Sequence, residues 1–559
     1  MNTIKYYKII MISMLAFGIM SSCEDLTDLN RNPNAIEPED ANVNLLMPSV
    51  LGPAAANYLS LGLDNMAGAM QFIHVSGWGD ATNYFDWDER GWEGYYSILR
   101  TNELMIEIAR RDGYPFHEGV GLTMRAFLFG QIADYWGDAP YSEALQAFTG
   151  EMENLYPAYD TQEQIYNGVI EDLKAAAALF ATGDNTNINN NVDLYYGGDM
   201  ANWEKFANSL LIRYYVRISE KNPGVRNEVE AIVASGKFIS SAAENATMDY
   251  TGGPNDQWPF IYTDETSSTR YMAASTMIEQ LDSTNDPRLH VWYAPVTIRW
   301  VPDNSISGST APTRMLVNGV ETDILPNWID YQGRTETFTK LYNPNDTTFD
   351  DDEFVGVPPG MRMSDIHTYN GAYNGAQGRF NHHVSTLHPQ FMDGEPTEGD
   401  LLQARLLSAA EMHFTLAELA LKGWNVGGTA EEHYMAGIQN SLTTWGVGDQ
   451  FQTFYPNVAF DGTLEQIMTQ KWVASFSNAT EAWLDYRRTG FPELTLRTDV
   501  ARAPVPALRF GYGSDELNNN TENVNAAIER LETTQYSGPL GKNSVYSKPW
   551  LLQGTNNPW

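Results

Sequence analysis

The feature that most constrains the fold is a recurring helix-start signal. Thr161-Gln162-Glu163-Gln164, Ser408-Ala409-Ala410-Glu411, Thr429-Ala430-Glu431-Glu432 and Thr463-Leu464-Glu465-Gln466 share one spacing, a hydroxyl residue followed three positions later by Glu or Gln. In such a capping box the hydroxyl accepts a hydrogen bond from a free backbone N–H of the first turn, and the longer side chain reaches back to the N-cap N–H. Apolar residues then recur at helical spacing. After Thr161 they are Ile165, Tyr166, Val169, Ile170, Leu173, Ala177 and Phe180; after Thr429, Tyr434, Ile438, Leu442 and Trp445; after Thr463, Ile467, Met468, Trp472 and Phe476. The segment 121–136 has the same character and stops at Trp136-Gly137-Asp138-Ala139-Pro140, where Gly and Pro end a helix. The turn Gly423–Gly428 joins two of these helices into a unit slightly longer than the ~34-residue tetratricopeptide repeat. The expected fold is therefore mainly α, with helix pairs as its scaffold.

Residues 246–400 break that pattern. Gly, Pro, Asn and Asp punctuate them, and Trp258, Tyr262, Trp292, Trp300, Trp328 and Tyr331 sit between. Loops of this length in a folded protein are functional or disordered, and so many tryptophans argue against disorder. The chain then divides into a leader (1–22), a tether (23–48), an N-terminal helical part (49–245), a loop-rich aromatic lobe that is the candidate ligand-binding part (246–400), a helical repeat part (401–480) and an irregular C-terminal part (481–559).

The leader reads as a bacterial lipoprotein signal. Lys5 and Lys8 precede the uncharged apolar run Ile9–Met20, which is short for a membrane span of ~20 residues. It ends at Met20-Ser21-Ser22-Cys23, and Cys23 is the sole cysteine. This spacing predicts lipidation at Cys23; the competing reading is an idle thiol behind an ordinary signal peptide. Lipidation with two or more acyl chains, at ~0.8 kcal/mol per buried methylene, anchors a protein stably. Glu24, Asp25 and Asp28 follow directly, as in surface-export signals or a solvated tether.

Lys and Arg number 34 against 71 Asp and Glu, a net charge of −37. That excludes phosphate-backbone binding and so nucleic acid, which requires clustered cations. No nucleophile elbow, zincin helix or phosphate loop is present, so no catalytic residue is nominated and no enzyme activity or cofactor is expected. His382, His383 and His388 are close enough in sequence to bind a metal, but loop histidines with separate partners are the better reading. Asp350, Asp351, Asp352 and Glu353 could hold a structural calcium ion, against the simpler reading of a solvated acidic loop. Among 71 acidic residues some pair would suit glycoside hydrolysis, yet no local sequence singles one out. What remains is aromatic residues in loops, which suit the apolar faces of sugar rings. Two segments carry them, Trp78-Gly79-Asp80-Ala81-Thr82-Asn83-Tyr84-Phe85-Asp86-Trp87 and the tryptophans from 258 to 331. For any single ring, packing under a long loop competes with ligand contact.

Four stretches in order, behind the lipobox, resemble the SusD/RagB family of outer-membrane nutrient-binding lipoproteins, in a divergent SusD-like branch. They are Asp28-Leu29-Asn30 through Pro33-Asn34; Ala133 to Ala144, with Tyr156 to Thr161; Ala410 to Glu418, with Gly423-Trp424; and Gln470-Lys471-Trp472, with Glu481 to Gly490. The resemblance implies about four tetratricopeptide-like helix pairs with an irregular lobe packed on them. It implies a lipid-anchored protein of the cell outer membrane, facing the exterior, that captures a glycan or, in some members, a peptide. The implied partner is a TonB-dependent transporter of SusC type. On the same basis Trp78, Asn83, Tyr84, Trp87, Trp258, Trp292, Trp300 and Trp328 are the candidate ligand contacts. Arg487 and Arg488 read as structural, placed to neutralise carbonyls at a helix C-terminus. A surface glycosidase, and a protein whose helix pairs bind only a partner, stand as alternatives.

Overall fold

Helices form the bulk of the protein. The computed structural model describes residues 41–75, 82–87, 89–146, 152–252, 257–260, 271–307, 314–322, 336–372, 381–391, 401–496, 502–556 and 558–559. The leader, Cys23 and the start of the tether lie outside the described residues. The longer helices are α1 Val43–Ser60, α2 Glu93–Asp112, α3 Pro115–Trp136, α4 Gln162–Ala181, α5 Met200–Ile218, α6 Val225–Ser235, α7 Ser275–Ser283, α8 Ala409–Leu421, α9 Ala430–Thr444, α10 Leu464–Ala474, α11 Ala479–Thr489 and α12 Thr521–Glu529. Consecutive helices pack as pairs: α2 on α3, α4 on α5, α8 on α9, α10 on α11. α3 also packs on α4, α8 on α10, and α5 meets α8, so the pairs form one scaffold within the compact unit from Asn44 onward.

The start signals act as read, with an instructive exception. Thr161 and Thr429 make complete capping boxes with Gln164 and Glu432. Ser408 and Thr463 cap only one way, accepting from the N–H groups of Glu411 and Gln466. The Glu411 carboxylate is held by Arg213, and Gln466 turns to the N–H of Asp461 and the carbonyl of Ala459. A stronger tertiary partner has taken the returning side chain in each case. The apolar stripes are core: Ile165, Val169, Leu173, Tyr434, Ile438, Leu442 and Ile467 are fully buried. Gly130 lets α3 approach α5, because a Cβ there would run into the phenol of Tyr214.

The strands are β1 Ile73–Val75, β2 Ala139–Pro140, β3 Tyr159–Asp160, β4 Ala246–Asp249, β5 Tyr271–Ala273, β6 Tyr293–Ala294, β7 Arg299–Pro302, β8 Met315–Val317, β9 Val320–Glu321, β10 Phe338–Tyr342, β11 Thr386–Leu387 and β12 Gln403–Leu407. The lobe expected to be loops holds most of two small sheets, ordered β1-β5-β11-β6 and β7-β10-β8-β9. Its strands are two to five residues long, too short for a period of two to stand out in the sequence. Met272, Val355, Val357, Ile366 and Val384 form a core of its own. Trp292 pins the lobe to the helices by stacking on Phe476 at 4.3 Å. The C-terminal part, expected to be irregular from 481, begins inside α11 and also contains α12. Among the described residues no helix is long and apolar enough to cross a membrane.

Candidate ligand-binding site

β1 and β5 pair antiparallel, with Val75 opposite Tyr271. The aromatic segment that leaves β1 and the stretch that enters β5 therefore start from one end of one sheet. Asn83 closes the base of the first. Its side chain accepts from the Val75 N–H at 2.9 Å and donates to the Val75 carbonyl at 2.7 Å, so a buried amide takes the place of a neighbouring strand. Gly68 makes room for it, since a Cβ there would sit 2.6 Å from the Asn83 oxygen. On the other side Tyr271 donates to Asp64 at 2.8 Å, and Phe260 packs edge-on against the Tyr271 ring. His74, between Ile73 and Val75, donates through Nε2 to the Met361 carbonyl, and burial pushes its imidazole down to about 4.

A groove of about 830 Å³ opens between α1 and the segment that runs from β4 to residue 260. Pro48, Pro53, Leu194, Met248 and Pro259 supply apolar walls; Ser49, Asp249 and Gln257 supply polar edges. Helix α1 carries no charged residue over its 18 positions. Size and lining match pockets that take small organic ligands, and the near absence of charge suits a neutral one.

The nominated residues fall into three groups. Trp78 and Trp328 lie outside the described residues. Tyr84 and Trp87 are half-buried; Trp87 donates to the Arg509 carbonyl at 3.3 Å and packs against Phe85, Trp483 and Phe510. Trp258, Trp292, Trp300 and Asn83 are buried. Trp258 donates to the Phe391 carbonyl, and Trp300 lies stacked on His383 at 4.5 Å. These rings are covered by protein and offer no face to a sugar in this structure, so for them the packing reading describes the geometry. The tryptophans attract notice in the sequence because they hold loops down, and burial is what a sequence without clear periodicity conceals.

Asp350 caps the Asp352 N–H at 3.0 Å, and among the described residues no three His, Cys, Asp or Glu side chains converge on a metal-sized point. His388 accepts from the Gln390 N–H, apart from His383 in the lobe core.

The family-like stretches have a different role, a buried charge network. Arg217 on α5 pairs with both Asp134 on α3 and Glu481 on α11. Arg213 pairs with Glu411, Arg487 lies 3.7 Å from Asp134, and Tyr58 donates to Glu481 at 2.9 Å. Next to it Arg488 grips Glu418 with two nitrogens, at 2.6 and 2.8 Å, while Lys471 pairs with Asp485 at 2.7 Å. Burial pushes the Glu418 carboxyl up, but Arg488, Lys422 and Lys471 outweigh it and hold it well below its ordinary value. Arg487 and Arg488 are thus structural, although they bind carboxylates on neighbouring helices and, for Arg487, the Leu508 carbonyl rather than their own helix end.

The family profile described as "Starch-binding associating with outer membrane" matches residues 33–311 and 341–512. The chain belongs to the SusD-like family. Solved structures share the fold of this SusD-like protein. A SusD homologue from Bacteroides fragilis aligns with a TM-score of 0.68 at 21% identity, over 92% of this chain and 100% of its own. A SusD homologue from Bacteroides uniformis gives 0.66 at 21%, over 90% and 99%. A protein described as chitin-binding gives 0.68 at 21%, over 91% and 99%. No curated protein matches this SusD-like chain.

Proposed function

We propose that this SusD-like protein is a non-catalytic nutrient binder, lipid-anchored through Cys23 on the outer face of the outer membrane. It holds an oligosaccharide and passes it to a TonB-dependent transporter of SusC type. The observation that carries the reading is the groove between α1 and the segment from β4 to residue 260, walled by apolar side chains and, among the described residues that line it, charged only at Asp249. Trp78, Tyr84, Trp87 and Trp328 are the proposed ring contacts for the sugar, and Asp249 and Gln257, on the groove edge, the proposed partners of its hydroxyls. The starch-binding description of the family and the chitin-binding neighbour support a glycan over a peptide. The net charge of −37 suits a neutral or cationic cargo over an anionic one.

Calorimetry of the purified protein against a panel of polysaccharides and oligopeptides tests the cargo. Saturable heat with one glycan class is expected; heat with peptides alone would replace the glycan. A Cys23→Ala chain is expected in the soluble fraction, and a cross-linked native chain is expected to bring down a large β-barrel. Release of reducing ends from a polymer by the purified protein would overturn the non-catalytic reading.

A further inference from the structure

Arg405 on β12 carries a buried positive charge that no carboxylate among the described residues pairs with. The residue is 6% exposed. Its guanidinium lies 4.0 Å over the Trp445 ring and donates only to the carbonyls of Gln403 and Leu401, while Nε has no partner. The carboxylate that acts on it from β4, Asp249, is engaged by Gln403 and makes no ion pair with it. Burial accordingly pushes the Arg405 guanidinium down to about 9. A guanidinium held this way is costly unless something negative or strongly polar reaches it.

Arg405 borders a cavity of about 20 Å³ between β12, α9 and the end of α10. A space of this size admits one water-sized particle. Its wall is rich in donors that the protein does not use. Ser441 accepts from Arg288 and Ser408 accepts from the Glu411 N–H, which leaves both hydroxyl hydrogens free to point inward. With the Arg405 Nε–H they make three unspent donors. The other charged groups on the wall are already matched: both Glu411 oxygens are taken by Arg213, and Lys471 by Asp485. One unpartnered acceptor, the Asn478 side-chain oxygen, also borders the space. Donors outnumber it, and the net charge of the wall is that of Arg405.

We propose that this cavity binds one small monovalent anion of the halide class, with chloride as the physiological occupant. The anion accepts from Arg405 Nε and from the hydroxyls of Ser408 and Ser441, and supplies the missing counter-charge. Arg405 sits opposite Thr247 in the β12–β4 ladder, and the next residues of β4, Met248 and Asp249, line the groove. The anion therefore braces the back of the groove wall against α9 and α10.

Thermal unfolding of the full chain, purified in detergent, tests this in sodium chloride, bromide and gluconate at matched ionic strength. Matching is required because a chain of charge −37 responds to any salt. A saturable rise in Tm of a few degrees with halide over gluconate is expected. Arg405→Gln should abolish the difference, and Ser441→Ala should shift its midpoint to several-fold higher halide. Diffraction from wild-type crystals in bromide, at the bromine edge, needs no variant and should place an anomalous peak within hydrogen-bond reach of Arg405 Nε. Equal Tm in all three salts, or a bromide map with no peak and a water at that point, would overturn the proposal.

Discussion

Arg213 and Glu411 lie 198 residues apart in sequence and meet as a two-pronged ion pair, Nε and Nη2 each 2.7 Å from one carboxylate oxygen. The side chains are 4% and 8% exposed, so water screens little of their attraction. The pair joins α5 to α8, one of the points where the N-terminal and C-terminal helices meet. Removing Glu411 leaves Arg213 only the more distant Glu481, at 3.5 Å, which Arg217 already holds. Glu411→Gln should therefore cost about 3–5 kcal/mol of stability, read as a lower urea midpoint. The double variant Arg213→Met, Glu411→Leu should recover a large share, because no uncompensated charge stays inside.

Glu418 gives the scaffold an acid limit with a defined sign. Its folded-state carboxyl is held below the ordinary value, chiefly by Arg488 once burial is overcome. Its pairing therefore adds full stability above the unfolded-state value of about 4.3, and that stability is lost as pH falls toward the lower folded-state value. Urea midpoints measured from neutral pH downward should fall for the wild type below about pH 4–5. Glu418→Gln should start less stable and lose less over the same window. The difference between the two curves isolates this carboxyl from Asp134 and Glu411, which burial pushes the other way.

Trp292 and Trp78 should separate cleanly. Trp292→Ala empties space against Phe476 and Trp445 and should cost about 3–5 kcal/mol. Trp78→Ala should leave Tm unchanged and weaken polysaccharide binding by tenfold or more in calorimetry, the scale of an aromatic hot spot at about 1.4 kcal/mol or above.

Asn83→Ala removes both partners of the Val75 backbone, leaving a buried N–H and carbonyl unsatisfied at about 1–3 kcal/mol each. Hydrogen exchange should quicken at Val75 and its neighbours while amides of α3 keep their protection. Ligand affinity should fall with it, because the base of the first aromatic segment would no longer be fixed.

The helix scaffold was legible because its signals are local. A capping box and an apolar stripe lie within one turn or one helix, and Thr161 with Ile165 or Thr429 with Tyr434 needs no distant partner to be read. The sheets were not, since β5 and β11 are two or three residues long and exist only by pairing with strands far away in the chain. The family-like stretches pointed to the right relatives through residues such as Asp134, Glu411, Glu481 and Arg488, whose use is internal neutralisation. Trp258, Trp292 and Trp300 stood out for the same reason and drew attention to the core. The groove beside α1 left no mark at all: Pro48, Leu194 and Pro259 are unremarkable in sequence and gain meaning only when α1 lies against the strand after residue 245.

The amide of Asn83 satisfies the Val75 backbone in both directions, accepting from its N–H and donating to its carbonyl. Val75 and Asn83 thus meet like the two halves of a buckle, and the backbone that leaves β1 and the backbone that carries Asn83 share one fixed point.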